Sequence, residues 1–265
     1  MTATADANIA ALRSGFDQLA TFVRGLSDEQ LTGPSGASEW DISQVLSHLG
    51  SGSVINLAVL EAALAGNPNP GNDFNKQVWA RWDAMAPAER AQGFLEHNEI
   101  LTTRYESLDP DTRANLLVDM GFLPAPVDVA TVTSFRLSEF TLHSWDVRVG
   151  LDPSATLLPQ ATTLLVESSL SRLGWLAKPE ALQGKQSTLR LQTSEPDLTM
   201  ALHLGDQVTV SPGAPERSDG VLTLPAESLL RLISGRLSAE RTPSSVVLDG
   251  GPVDLADLRR VFPGF

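Results

Sequence analysis

Near residue 150 the hydrophobic pattern of this chain changes period, and that change constrains the fold more than any other feature. Before it, apolar residues recur three and four apart; beyond it, short segments alternate apolar and polar. The first spacing lines one face of an α-helix, and the second lines one face of a β-strand. A chain of 265 residues is long enough to bury two modest cores. The expectation is therefore an α+β two-domain protein, with a helical domain over 1–152 and a smaller α+β domain over 153–265.

Residues 5–26 place Ile9, Leu12, Phe16, Leu19, Phe22 and Val23 on one helical face. In "WDISQVLSHLG" Asp41 suits the N-cap of a second helix, Gln44 completes a capping box, and Trp40 is placed to staple onto Val45. That helix runs to the turn formers of "NPNPGND". A third tract over about 74–107 contains Pro87, which forbids continuation but suits a new first turn. A fourth spans roughly 127–150, and four helical tracts joined by moderate loops form the pattern of a four-helix bundle. Beyond "GLDPSA", residues 159–177 read as helix, and "STLRLQT", "LTMALHL", "QVTVS" and "GVLTLPA" as strands. "ESLLRLISGR" then reads as helix, "SVVLDG" as strand and "VDLADLRRVF" as helix, which predicts a largely antiparallel sheet with helices.

Composition narrows the function. Lys and Arg number 19 against 32 Asp and Glu, and the net charge of −13 repels a phosphate backbone, so no nucleic-acid partner is expected. The absence of cysteine excludes disulfides, thiolate ligands and a cysteine nucleophile, so any thiol chemistry must import its thiol. The N-terminus lacks a basic region followed by an apolar one, and no apolar run approaches the roughly 20 residues of a spanning helix. A soluble cytoplasmic protein with no membrane partner is the expectation.

The candidate chemistry lies in "LSEFTLHSWDVRVG" at 137–150. Glu139, His143 and Asp146 share a helical face with Val132 and Phe135, with Leu142 at its edge, while Ser138, Thr141 and Trp145 turn elsewhere. An unpaired buried carboxylate is costly, so it neutralises, pairs or binds a metal. A Glu and a His four apart, joined by a ligand from a facing helix, build metal sites inside bundles. The same pair also serves simply to stabilise a helix, by about 0.2–0.5 kcal/mol. Of the four histidines, His48 borders the stripe of Ile42, Val45, Leu46 and Leu49 and can reach inward, as a ligand or as a satisfied core histidine. His97 lies in a polar tract and His203 in a strand, and both read as structural. Two imidazoles and a carboxylate suit Zn²⁺ with an open position, and also accept Fe²⁺, Ni²⁺ or Mn²⁺. Asp146 is placed to hold an imidazole tautomer, to handle a proton, or to face solvent near the helix end. Arg236 reads as a cation at a helix C-terminus, where the dipole favours it.

The segments "SEWDISQVLSHLG" at 38–50, "LSEFTLHSWDVRVGLD" at 137–152 and "SLLRLISGR" at 228–236 resemble those of the mycothiol-dependent maleylpyruvate isomerase family. That family lies within the DinB-like superfamily of metal-binding four-helix bundles. The resemblance implies an N-terminal bundle that holds a divalent metal, usually zinc, through His48, Glu139 and His143, followed by a smaller C-terminal α/β domain. It also implies that Asp146 is the acidic residue following the second histidine, that Arg236 reaches toward the substrate, and that mycothiol is cofactor or co-substrate. The implied reaction is addition of a metal-held thiolate to a small electrophile, ending as cis/trans isomerisation or as S-transfer. Two alternatives remain at this stage. A non-catalytic metal- or ligand-binding bundle would show no thermal shift with mycothiol, and a hydrolase using metal-bound hydroxide would turn over without thiol.

Overall fold

A computed structural model describes residues 2–264, and the chain divides into two compact units, Met1–Leu157 and Leu158–Phe265. The first unit runs α1 (Thr2–Arg24), α2 (Asp28–Leu31), α3 (Ile42–Leu64), α4 (Gly71–Asp83), α5 (Pro87–Glu106), α6 (Pro110–Asn115), β1 (Leu117–Val118), β2 (Val127–Asp128) and α7 (Val129–Val149). The long helices α1 and α3 each pack against both α5 and α7, so the four surround one core, as the helical periodicity predicts.

The helix ends follow from local chemistry. Asp41 caps α3 by accepting from the Gln44 N–H at 2.8 Å, and the Gln44 side chain accepts from the Asp41 N–H at 2.9 Å, a reciprocal box that satisfies two otherwise orphaned donors. The tract expected over 74–107 is two helices, because Pro87 has no N–H to donate and opens α5 instead. Asp128 caps α7 through the Thr131 N–H at 2.8 Å. The two residues before α7 pair antiparallel with β1, a ribbon too short to leave an alternating signature.

Helix α7 departs from the one-faced pattern expected of it. Thr141 and Trp145 are buried along with Val132, Leu137 and Phe140, whereas Glu139 is exposed. The reason is position: α7 contacts both α1 and α3, so apolar surface is covered on more than one side. The Trp145 indole also finds a polar partner, donating to the Ala155 carbonyl at 2.8 Å. A second correction concerns α3, which is long and apolar enough to cross a membrane by length and composition. Its Val45, Leu46, Leu49 and Leu60 are buried in the bundle, the property of a core helix.

Tyr105 of α5 yields a stability prediction. Its side chain is 1% exposed and its hydroxyl has no hydrogen-bond partner among the described residues. Burial pushes the phenol up to about 12, with the Arg136 charge opposing. The folded state therefore favours the neutral phenol, and the stability linked to that preference is present below the unfolded pKa near 10 and lost as pH rises toward 12. Tyr105→Phe removes an unsatisfied buried donor, so it is expected to raise stability at pH 7 by about 1 kcal/mol and to flatten the alkaline decline. Urea melts at neutral pH and at about pH 10.5 check both effects; a less stable Phe variant at neutral pH would contradict them.

The second unit contains α8 (Pro159–Leu170), α9 (Leu173–Leu176), β3 (Ser187–Ser194), β4 (Leu198–Leu204), β5 (Val208–Pro212), β6 (Gly220–Pro225), α10 (Ala226–Ile233), β7 (Val247–Gly250) and α11 (Leu255–Val261). The helix expected over 159–177 breaks after α8, where the Arg172 N–H closes tightly on the Ser169 carbonyl at 3.1 Å. The five strands lie in the order β5-β4-β3-β6-β7. Pairing is antiparallel throughout except between β3 and β6, where Leu191 sits opposite Leu222 in parallel register and opposite Met200 on the β4 side. Ser187, Leu189, Leu191 and Thr193 alternate into the core, and α10 packs on β3 and β6.

Helix α10 ends at Ile233 rather than reaching 236. Gly235 has φ +73°, its N–H donates to the Leu232 carbonyl at 3.1 Å, and the Arg236 N–H donates to the Arg231 carbonyl at 2.6 Å. This is the glycine-dependent closure that ends many helices. A Cβ at 235 would also stand 2.4 Å from the Pro263 carbonyl oxygen, so the position excludes side chains twice over.

Candidate metal centre

Helix α3 supplies His48, and α7 supplies Glu139, His143 and Asp146. One ligand atom from each of His48, Glu139 and His143 lies within 4.8 Å of the others. Glu139 Oε2 is 3.1 Å from His48 Nε2 and 3.6 Å from His143 Nε2, and the two imidazole rings meet edge to face with centroids 4.5 Å apart. The helical spacing of 139 and 143 sets the pair on α7. The packing of α3 on α7 brings His48 to it.

Behind the triad stands a fully buried acid. Asp146 Oδ2 lies 2.9 Å from His143 Nδ1, where a carboxylate accepts the Nδ1–H and leaves the Nε2 lone pair toward Glu139 and His48. The acid is locked by the loop before α3. The Gly36 N–H donates to the Asp146 carbonyl at 2.7 Å, and a Cβ on Gly36 would fall 2.7 Å from Asp146 Oδ1. Only a glycine lets this backbone lie so close. Ser35 ties the same loop together by donating to the Trp40 carbonyl at 2.7 Å. Trp40 then covers both imidazoles, with its ring centroid 5.3 Å from His48 and 6.1 Å from His143.

One turn below Glu139 lies Arg136, only 5% exposed. Its Nη2 donates to the Leu49 carbonyl at 2.9 Å, to Ser53 Oγ at 2.7 Å and to Asn98 Oδ1 at 2.7 Å. Burial holds this guanidinium's pKa below its usual value, while Tyr105 and Glu139 oppose the shift. Desolvation pushes the Glu139 carboxyl up, but the His48 hydrogen bond and the charges of His143, His48 and Arg136 outweigh it and bring it down to about 2. The carboxylate tip nonetheless remains open, since 49% of the Glu139 side chain is exposed against 14% for His143. The cluster is thus a partly open mouth of the bundle, with imidazole nitrogens and an anionic oxygen converging and a buried acceptor behind one ring.

Of the residues singled out from the sequence, His48, Glu139, His143 and Asp146 come together. Arg236 belongs to the second unit, half-buried just past α10, where its Nη1 donates to the Ser234 carbonyl at 3.1 Å. His97 lies against Trp82, with centroids 5.7 Å apart, and His203 sits between Thr188 Oγ1 at 3.3 Å and Ser211 Oγ at 3.1 Å. Arg136, Gly36 and the covering role of Trp40 were not read from the sequence. A signal for Arg136 was present, since "SFRLSEF" puts a guanidinium one turn from Glu139 in an apolar tract.

A family profile, the mycothiol maleylpyruvate isomerase N-terminal domain, matches residues 12–148. The chain belongs to the mycothiol maleylpyruvate isomerase family. Two solved structures share the fold of this family member: a mycothiol-dependent maleylpyruvate isomerase and a histidine-to-alanine mutant of it. Each aligns with a TM-score of 0.61 at 14% identity, over 94% of this chain and 95% of theirs. At that identity the likeness carries the fold alone. Among curated proteins, none has a significantly similar sequence.

Proposed function

We propose that this family member is a metal-dependent enzyme that uses mycothiol against a small electrophile, as a cis/trans isomerase or an S-transferase. The observation that carries the reading is the convergence of His48, Glu139 and His143 within 4.8 Å, with the far nitrogen of His143 already engaged by buried Asp146 at 2.9 Å. A surface ion pair has no need of a buried acceptor behind one imidazole. A metal ligand does, because that acceptor fixes the tautomer and raises the basicity of the ligating nitrogen.

The donor set fits a divalent ion, Zn²⁺ best among the candidates, held by the two Nε2 atoms and a Glu139 oxygen. When bound, the metal supplies a Lewis acid that lowers the pKa of a coordinating thiol. The chain's own residues do the rest. Asp146 holds the proton on His143 Nδ1, Glu139 stays anionic and offsets the cation's charge, and Trp40 keeps water from one side of the imidazoles. Arg236 is assigned to a substrate carboxylate, which a guanidinium fork binds well. We assign the metal-binding role to a domain over 1–152 and the Arg236 role to a domain over 153–265. A chain with no cysteine suits an imported nucleophile, and the cytoplasm, where small thiols stay reduced, suits that import.

Zinc-loaded protein assayed on maleylpyruvate and on a generic thiol-reactive electrophile, with and without mycothiol, tests the proposal. Turnover that requires both metal and thiol is the expected result. The product separates the endings: a trans isomer with thiol regenerated, or a thioether that keeps it. Turnover without thiol would replace the reading with hydrolysis, and absence of both turnover and a mycothiol-induced thermal shift would overturn it.

A further inference from the structure

The five-stranded sheet of the second unit has two edges, β5 and β7, and only one of them is defended. At the β7 edge Asp249 carries a charge, Gly250 and Gly251 bend the strand's end at φ +79° and +84°, and Pro252 follows with no N–H to give. These are devices by which proteins keep an edge from pairing. At the β5 edge, residues 207–215 read "QVTVSPGAP" and carry no charge, and neither Pro nor Gly interrupts 207–211. We propose that β5 pairs antiparallel with β5 of a second copy of this chain, joining two second units about a twofold axis at Thr209.

The hydrogen-bond phase of the sheet decides which groups face outward. Along an antiparallel strand, residues alternate between those bonded to the neighbour on one side and those turned to the other. The Gly213 N–H donates to the Thr199 carbonyl at 3.0 Å, and the register sets Ser211 opposite Ala201 and Thr209 opposite His203. Ser211 and Thr209 are in phase with Gly213 and bond to β4, so Val208 and Val210 turn their N–H and C=O groups to the open edge. Among the described residues no backbone group bonds to them. A twofold axis at Thr209 sets Val208 of each copy opposite Val210 of the other, and each such pair exchanges N–H···O bonds in both directions. Neighbouring registers are poorer. Centring the axis on Val210 sets Val208 against Pro212, which has no N–H, and centring it on Val208 sets Val210 against Asp206, beyond the end of the strand.

The side chains agree with that register. At the axis the exposed Thr209 meets its own copy, and on the same face Gln207 meets Ser211, so hydroxyl and amide groups find partners. On the opposite face the β-branched Val208 and Val210 meet. Charge permits the contact here and opposes it elsewhere. Each copy carries a net −13 and repels its twin, whereas this strand is neutral. A cavity of about 500 Å³ extends the neutral surface from Val208 and Val210 to α9, and no ionisable residue lines it. Trp175 in its wall is 70% exposed, more than any other large apolar side chain among the described residues. Covering it on both copies adds apolar area that a short strand ladder lacks for a stable dimer. Once β5 is paired only the defended β7 edge remains, so assembly closes at the dimer.

Sedimentation velocity of the full-length protein over about 1–100 μM should show a concentration-dependent shift from monomer to dimer. Thr209→Lys and Thr209→Glu each bring like charges face to face at the axis and are expected to weaken dimerisation by more than about tenfold. Their circular dichroism should match wild type, since the Thr209 side chain is exposed. Mixing the two variants should restore the dimer, because opposite charges then meet. Exchange of the Val208 and Val210 amides in wild type should slow as concentration rises. A wild type that stays monomeric at about 100 μM leaves the edge to an extended peptide of another protein and overturns the proposal. A dimer indifferent to both substitutions, or a mixture no more dimeric than its components, puts the interface elsewhere and overturns it as well. Assemblies larger than a dimer would mean open-ended edge pairing and contradict the closed arrangement.

Discussion

His143→Ala is expected to purify with almost no zinc after metal loading and to lose thiol-dependent turnover by more than about a hundredfold. The floor on that figure comes from outer-shell substitutions, which typically cost about 10–100-fold, whereas this one removes a donor atom itself. With Nε2 gone, only His48 and Glu139 remain of the three groups that lie within 4.8 Å, and two protein ligands fall short of the three that catalytic zinc sites use. The variant also takes a hydrogen-bond partner from the buried Asp146 carboxylate, so some loss of stability accompanies it. His48→Ala separates the two effects. It removes a ligand from the half-exposed side of the triad without touching Asp146, and it should lose metal to a similar degree with a smaller change in melting temperature. Metal analysis alongside a thermal melt checks the pair. Full zinc occupancy in either variant would contradict the ligand assignment.

Asp146→Asn is expected to weaken zinc affinity by about 10–100-fold while the fold persists. The side chain keeps its shape, but a neutral amide oxygen is a poorer acceptor for the His143 Nδ1–H than a carboxylate, and it no longer adds charge to the ligand behind which it stands. The site tolerates no larger change, because Gly36 backbone lies against this acid: its N–H reaches the Asp146 carbonyl at 2.7 Å. Competition against a chelator of known affinity gives the factor directly. An unchanged affinity would show that Asp146 is a buried structural acid with no part in the metal centre.

How much of this was legible in the sequence depends on the range of the interaction. The Asp41–Gln44 box, the break at Pro87 and the α7 grouping of Glu139, His143 and Asp146 are all set within a few residues. Helical geometry alone predicts them. His48 lies 91 residues from Glu139, and its place at the border of the α3 stripe, the short supply of histidines and the family resemblance together singled it out. The interactions that escaped notice are likewise long-range or lack a period. Arg136 is satisfied by atoms of α3 and α5, so its partners are invisible in the α7 sequence even though its apolar setting is not. The Gly36–Asp146 contact joins a loop to a helix 110 residues away along the chain. The parallel β3–β6 pairing is set by where the β4–β5 hairpin leaves room, and no strand-local pattern encodes it. Periodicity also misjudged α7, since it assumes one covered face and this helix is covered on several.

X-ray absorption at the zinc edge of the loaded protein tests the central claim most directly, because it reports the atoms around the ion and is indifferent to substrate. The account predicts a nitrogen and oxygen shell with scattering from two imidazoles in the wild type, reduced to one in whatever zinc His48→Ala retains. A shell without imidazole scattering, or one unchanged by loss of His48, would contradict it.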